Sequence, residues 1–461
     1  MFKRILIANR GEIAVRIIRA CSEMGIETVA VYSTADKDQL HVKLADYAIC
    51  IGKPKSSESY LNVDNIISTA VSLKCDAIHP GYGFLSENAE FAKLVESYDM
   101  KFIGPSGDVI SLMGDKSRAR ELMMKNNVPT VPGSDGVVET IEDAVKVCEE
   151  IGFPVLIKAA AGGGGRGMRR VFSIEDLEKE YTNAKTEAIN CFGNGDMYIE
   201  KLVSNPKHIE FQIVADSFGN VIHLGERDCS IQRRNQKMIE EAPSVFLDED
   251  TRSHMGEVAI RAAKACNYEN AGTIEFVVDE DKNFYFIEMN TRIQVEHPVT
   301  EMVTGVDLIK EQLRVAAGLS LSKKQEDIII EGYAIECRVN AEDPFENFRP
   351  YAGKVDFFYS PGGMDTRFDS FLYSNCSISP FYDSMIGKII VKGETRLEAI
   401  RKMRRAIEET FIEGIKTNLG FQYAILFDKD FIKGNFNTSY LSNKMDFILE
   451  DMKLVEEKNE R

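Results

Sequence analysis

Glu275 and Glu288 lie on the two arms of Gly272-Thr-Ile-Glu-Phe-Val-Val-Asp-Glu-Asp-Lys-Asn-Phe-Tyr-Phe-Ile-Glu-Met-Asn290, two β-type runs joined by a polar turn. A hairpin centred between Asp281 and Lys282 sets the two side chains directly opposite each other. Facing carboxylates repel across an antiparallel pair unless a cation lies between them or one holds a proton. Mg²⁺ takes one or two carboxylates together with substrate phosphate oxygens, which makes it the expected occupant, with Asn290 on the same face as a further oxygen ligand. The alternation runs on: in Glu288-Met-Asn-Thr-Arg-Ile-Gln-Val-Glu-His297 every second residue is polar. An extended chain would place Arg292, Gln294 and Glu296 in one row with the metal ligands. A guanidinium fork suits a small planar anion such as bicarbonate or a carboxylate, and a neighbouring carboxylate can act as general base.

A second constellation is built for phosphate. Pro154-Val-Leu-Ile-Lys-Ala159 leads into Gly162-Gly-Gly-Gly-Arg-Gly-Met168, a buried strand followed by a loop of minimal bulk whose N–H groups can reach phosphate oxygens. Gly162, Gly164 and Gly167 formally satisfy the dinucleotide fingerprint, but that motif needs a helix opening at its last glycine. Met168–Phe172 reads instead as a strand. A Walker loop fails as well, because no Lys-Ser/Thr pair follows Gly167. What is left is a strand–loop–strand flap with Lys158 on its strand, suited to closing over a nucleotide's phosphates. His208-Ile-Glu-Phe-Gln212 repeats the polar–apolar alternation, and Arg227 to Lys237 concentrates positive charge, so both are expected to line a phosphate-bearing cleft.

The elements that must carry these residues fall into three blocks. From Arg4 to Gly104, strands at Ile5–Ala8, Thr28–Tyr32, Ala77–His79 and Lys101–Ile103 alternate with helices at Glu12–Met24, Val63–Leu73 and Asn88–Ser97, the pattern of a parallel, open α/β sheet. Such sheets take ligands at the end of the first strand, here the turn Asn9-Arg10-Gly11-Glu12. The second block, about Asp115 to Ala317, holds a βαβ-like stretch around the glycine run and then antiparallel strands, with a hairpin signal at Asp216–Asn220. The third opens with a strand at Tyr333–Asn340, carries a charged helix near Arg396–Glu409 and ends in a polar segment, Glu450–Arg461, expected to fray into solvent. The length of 461 residues accommodates about three domains. A net charge of −17 argues against nucleic acid as main partner. Nine dispersed cysteines without a C-x-x-C pair fit a reducing compartment. Neither a signal peptide nor a membrane span is apparent, so a cytoplasmic location is expected.

Ile7-Ala-Asn-Arg-Gly-Glu-Ile-Ala14, His79-Pro-Gly-Tyr-Gly-Phe-Leu-Ser-Glu-Asn88, Gly114-Asp-Lys116, the glycine flap, Glu226-Arg-Asp-Cys-Ser230, Glu288 to Thr300, Cys337-Arg-Val-Asn-Ala-Glu-Asp343 and Tyr382-Asp-Ser-Met-Ile-Gly-Lys388 follow one another in a familiar order. Over nearly its whole length the chain resembles biotin carboxylase, an ATP-grasp enzyme. The resemblance implies an α/β architecture: a Rossmann-like N-terminal domain (1–114), an ATP-grasp domain (115–330) with a mobile lid near 131–203, a C-terminal α+β domain (331–446) and a polar tail (447–461). It implies that Lys116 and Lys158 contact ATP phosphates, that Gly164 and Gly165 cover them, and that Glu200, Lys201, Leu202 and Val203 line the adenine pocket. His208, Gln232 and Asn235 would sit near ribose and phosphates. The family usually carries histidine where this chain has Asn235, and an amide can still hydrogen-bond a hydroxyl.

By the same resemblance, Glu275, Glu288 and Asn290 would hold Mg²⁺ or Mn²⁺ beneath the nucleotide. Lys237, Arg292, Gln294 and Val295 would position bicarbonate, Glu296 would be the base, and Tyr82 and Arg338 would meet biotin's ureido ring. Lys237, Arg292, Glu296 and Arg338 would then carry catalysis. The implied partners are a biotin carboxyl carrier protein, carboxyltransferase subunits and a second copy of the chain. Acetyl-CoA carboxylase of fatty acid synthesis is the implied assembly, with pyruvate or another acyl-CoA carboxylase as the alternative. Another ATP-grasp ligase, such as half of a carbamoyl-phosphate synthetase, should lack the Tyr82 loop and the Cys337–Asp343 segment. An inactive nucleotide-binding module should lack one of the catalytic residues, and all are present.

Overall fold

The computed structural model describes residues 1–160 and 167–459. Strands β1 (Arg4–Ile7), β2 (Glu27–Ser33), β3 (Tyr47–Gly52), β4 (Ala77–His79) and β5 (Lys101–Phe102) form a parallel sheet in the order β3-β2-β1-β4-β5. Ile5, Leu6 and Ile7 of β1 are buried on both faces, as a parallel sheet covered by helices requires. The strand order turns at β1/β4, the crevice where open α/β sheets take ligands. Residues of the third block reach the turn that follows β1. Arg10, in the turn after β1, pairs with Asp36 at 2.6 Å and lies 4.2 Å from the centre of the Tyr382 ring. Phe371 packs against Gly11. Aromatic side chains from the third block thus stand beside the turn Asn9-Arg10-Gly11-Glu12, from which Glu12 reaches the Tyr82 hydroxyl.

Strands β6 (Val155–Ala159), β7 (Met168–Val171) and β8 (Met197–Lys201) make a small antiparallel sheet ordered β7-β6-β8. Helix Ile174–Phe192 covers it, and Val155, Ile157, Leu177, Tyr181 and Ile199 form its own apolar core. The helix links β7 to β8, which run parallel on either side of β6. A βαβ pattern in the sequence thus coexists with an antiparallel ladder. Gly164 and Gly165 lie outside the described residues.

Eight further strands share one large sheet, beside three short two-stranded ladders in the C-terminal region. β9 (Lys207–Ala215), β10 (Val221–Arg233), β11 (Gln236–Ala242), β12 (Asn270–Val278), β13 (Phe284–Asn290), β14 (Tyr333–Asn340) and the strands Met385–Gly393 and Thr366–Ser370 pair antiparallel in the order β13-β12-β9-β10-β11-β14-(385–393)-(366–370). The block boundary drawn at 330/331 therefore divides the chain but not the sheet, because β11 pairs with β14. Ile209 and Phe211 of β9 and Ile274 and Phe276 of β12 pack under helix Glu249–Ala265. The period of two then sends His208, Glu210, Gln212 and Glu275 to the opposite face.

The polar tail expected from 447 is also different: helix Tyr440–Asn459 runs through it, with Ile448 and Met452 buried in the C-terminal core. Its apolar stripe is narrow and interrupted by Glu450 and Asp451, which hid the period. No helix among the described residues is long and apolar enough to cross a membrane.

Candidate active site

The β12–β13 ladder brings Glu275 opposite Glu288, as the spacing predicts, but by another route. Near the turn, Phe276 pairs with Phe286 and the Asp279 N–H bonds to the Asn283 carbonyl. Lys282 takes a left-handed conformation (φ 65°) to close that loop. A bulge at Ile287 shifts the register by one residue and restores the facing pair. Beyond Asn290 the extended row ends. Residues 291–296 turn, and Glu296 becomes the N-cap residue of helix His297–Thr304, with Pro298 in its first turn. Strand and loop still deliver the polar groups to one place. Arg292 donates to Gln294 Oε1 at 2.7 Å, Asn290 Oδ1 at 3.0 Å and Glu87 Oε2 at 3.0 Å.

Lys237 is the centre of the charge network. Its Nζ lies 2.5 Å from Glu210, 3.0 Å from Glu275 and 2.6 Å from Glu296. Glu296 takes a second cation, Arg338, at 2.9 Å, and Arg338 Nε reaches Glu240 at 2.6 Å. Arg227 holds Glu210 at 2.6 Å. Burial alone would raise the Glu296 pKa; Lys237, Arg338 and Arg227 more than reverse this and hold it well below the usual carboxylate range. Burial is likewise overcome at Glu275 by Lys237 and His208. Glu288 behaves oppositely, since burial and then the Glu275 charge push its carboxyl up. A carboxyl disfavoured as an anion beside one already ionised is what a divalent cation relieves. The oxygen donors of Glu275, Glu288 and Asn290 fit Mg²⁺.

Next to this network, a cleft of about 700 Å³ is lined by Lys116, Lys158, Glu200, Lys201, Leu202, Val203, His208, Gln232 and Asn235. Lys116 opens the helix Lys116–Lys125 behind its N-cap Asp115, and Lys158 pairs with Glu200. Lys201 turns its ammonium to the carbonyls of Gly152 and Phe153 at 3.2 and 2.9 Å. The Gln232 amide bridges the Cys229 carbonyl (2.7 Å) and His208 Nδ1 (2.6 Å), leaving His208 Nε2 2.9 Å from Glu275. Arg227 to Lys237 is not one strand. It folds back at Arg234 and Asn235, both left-handed (φ 50° and 64°), a conformation asparagine adopts more readily than most residues.

Three family models cover the chain. Biotin carboxylase, N-terminal domain, matches residues 1–110; carbamoyl-phosphate synthase L chain, ATP binding domain, matches 115–324; and biotin carboxylase C-terminal domain matches 336–443. The biotin carboxylase of Nostoc sp. is 57% identical over 440 residues, 95% of this chain and 98% of that protein. The chain belongs to the biotin carboxylase family. Its class follows: an ATP-dependent carboxylase ligase with ATP-grasp architecture. A biotin carboxylase complex from Campylobacter jejuni with β,γ-ATP superimposes with a TM-score of 0.93 at 53% identity, covering 96% of this chain and 99% of that one. The biotin carboxylase domain dimer of Hydrogenobacter thermophilus 2-oxoglutarate carboxylase, with MgADP and bicarbonate, gives 0.92 at 51%, covering 97% and 99%.

Seen as a biotin carboxylase, the chain brings Tyr82 and Arg338 into one electrostatic neighbourhood. Burial and Glu12 push the Tyr82 hydroxyl pKa well up, and Arg338 pulls it down. Val295 contributes its carbonyl, which accepts from Lys388. Sequence reasoning placed Glu210 and Glu12 only within segments expected near a ligand and gave no role to Glu240, Glu87 or Lys388, although each of the five holds a residue that it did single out. Glu210 had a signal, the alternation around it; Glu240 sits beside Glu241 in a strand without alternation and had none.

Proposed function

We propose that the chain carboxylates biotin borne on a separate carrier protein, using ATP to activate bicarbonate as carboxyphosphate. The observation that carries this reading is Glu296, gripped by both Lys237 and Arg338 and adjoining the Glu275–Glu288 pair. Lys116 and Lys158 would neutralise charge on the phosphates, the main service a protein offers in phosphoryl transfer. Mg²⁺ on Glu275, Glu288 and Asn290 would supply further neutralisation. Arg292, Gln294 and Lys237 would orient bicarbonate. When the anion draws Lys237 and Arg338 toward itself, Glu296 loses the cations that hold its pKa down and gains strength as a base. Released CO₂ and phosphate would remain enclosed while phosphate takes the ureido proton, and Arg338 would stabilise the enolate-like oxygen.

The role in acetyl-CoA carboxylase, hence in fatty acid synthesis in the cytoplasm, belongs to the same proposal, as do a homodimer and carboxyltransferase partners. A relative of this size also serves in 2-oxoglutarate carboxylase, so the acceptor is a separate question. ATP turnover that depends on bicarbonate and free biotin tests the chemistry, and a chain that hydrolyses ATP indifferently to both is not this enzyme. Capturing the biotinylated carrier from the native cell and assaying it with acetyl-CoA, pyruvate and 2-oxoglutarate tests the assembly; transfer only to a keto acid refutes the acetyl-CoA role.

A further inference from the structure

Behind Tyr82 lies a charged cluster that the reaction just outlined does not use. Glu12, in the first turn of helix Gly11–Glu23, and Lys388, in strand Met385–Gly393, form an ion pair at 3.1 Å, with side chains 1% and 0% exposed. Glu12 Oε1 also accepts from the Tyr82 hydroxyl. Lys388 Nζ also donates to the Val295 carbonyl, in the loop carrying Arg292, Gln294 and Glu296. Glu12 Oε2 has no partner among the described residues, so both donors converge on the other oxygen. One buried pair thus ties the Tyr82 loop to the bicarbonate-side loop. Desolvating both charges offsets most of their attraction, so the pair is a poor source of net stability. What such a pair does supply is direction.

We propose that Glu12 and Lys388 are positioning residues for biotin carboxylation: Glu12 binds the Tyr82 hydroxyl proton, so that Tyr82 turns an oxygen lone pair to the ureido N–H of biotin, while Lys388 holds the Val295 peptide in register with that wall. The inference rests on the function proposed above. Burial pushes the Glu12 carboxyl up, and the ammonium of Lys388 at 3.1 Å opposes this and favours the ion; a phenol has one proton, and an ionised carboxylate can only accept. With that proton committed to Glu12, Tyr82 can only accept on its remaining side, and the charge-assisted bond polarises the hydroxyl to accept more strongly. A glutamine at position 12 could donate to Tyr82 and reverse the hydroxyl.

Steady-state kinetics of the full chain with ATP, bicarbonate and free biotin read this directly. In Glu12→Gln and in Tyr82→Phe, kcat/KM for biotin falls about tenfold or more, the scale of one hydrogen bond to a charged group, and falls further than kcat/KM for ATP. The double variant is no worse than Tyr82→Phe, because both changes remove one interaction. Glu12→Gln leaves Lys388 buried without its partner, so Glu12→Gln/Lys388→Met, which removes both charges, controls for folding. It recovers the melting temperature, keeps the biotin defect and raises KM for bicarbonate. Recovery of biotin turnover in that neutral pair, multiplying losses in Glu12→Gln/Tyr82→Phe, or equal losses for ATP and biotin overturns the proposal. A wild-type chain that carboxylates no biotin overturns the functional reading itself, before any variant is compared.

Discussion

Arg338 stands between two acids, Glu296 and Glu240, and the two pairings divide its work. Removing the guanidinium leaves the nucleotide cleft intact, since Lys116, Lys158 and Glu200 lie elsewhere. Arg338→Ala should therefore leave KM for ATP near its original value while biotin carboxylation drops about 10²–10³-fold, the usual cost of one donor aimed at developing negative charge. Parallel loss of ATP affinity would contradict this division. Glu240 makes a pH prediction. Burial raises its pKa to about 7, against 4.5 for an ordinary glutamate. The folded chain keeps a proton there that the unfolded chain has released, so this contribution to stability is fully present below about pH 4.5, drains away as pH rises to about 7, and is flat above. Glu240→Gln, fixed in the uncharged form, lacks that slope. Denaturant unfolding from pH 5 to 8 should show the wild type losing ground to the variant as pH rises, and a wild type that gains ground would show the sign to be wrong.

The β12–β13 hairpin shows how an element is shaped against its own stability. Its bulge turns two carboxylates onto each other, and burial together with the Glu275 charge pushes Glu288 toward protonation. Glu288→Gln should stabilise the metal-free protein by about 0.2–1 kcal/mol, the cross-strand cost of facing like charges, yet raise the Mg²⁺ concentration needed for half-maximal activity. Thermal unfolding without metal and a Mg²⁺ titration of activity check both halves; a destabilised variant, or an unchanged titration, would remove the cation from between these residues. The facing pair was legible because strands repeat every two residues and both arms are long. The bulge was not, because left-handed Lys282 leaves no mark in residue type. The end of the row at Asn290 did leave a mark: Pro298 is suited to the first turn of a helix and argued against an extended chain reaching His297. The buried acids Glu240 and Glu12 could not be assigned from sequence, since their partners Arg338 and Lys388 are brought to them only by tertiary contact.

Across the whole molecule, three sequence blocks become a different set of physical units. The ATP-grasp strands and the C-terminal strands are one continuous sheet joined at β11–β14, and Ala242, Val299, Val303, Ala334 and Ile390 pack across that joint. Strands β6, β7 and β8 have a separate sheet and core. Non-local pairing of this kind has no sequence period, which is why the sequence suggests a boundary at 330/331 but not the sheet that crosses it. Local opening follows cooperative units rather than sequence blocks. Native-state hydrogen exchange should therefore find the β11 and β14 amides opening together, at the highest free energy in the chain, while the β6–β8 amides exchange through a smaller, independent opening. Nucleotide should slow the β6–β8 amides far more than those of β14, because Lys158 on β6 and Glu200 on β8 line the cleft while β14 lies outside it. Separate openings for β11 and β14 would mean that the shared sheet is not one cooperative unit, and β6–β8 amides that open only with the large sheet would mean that their sheet is not an independent one.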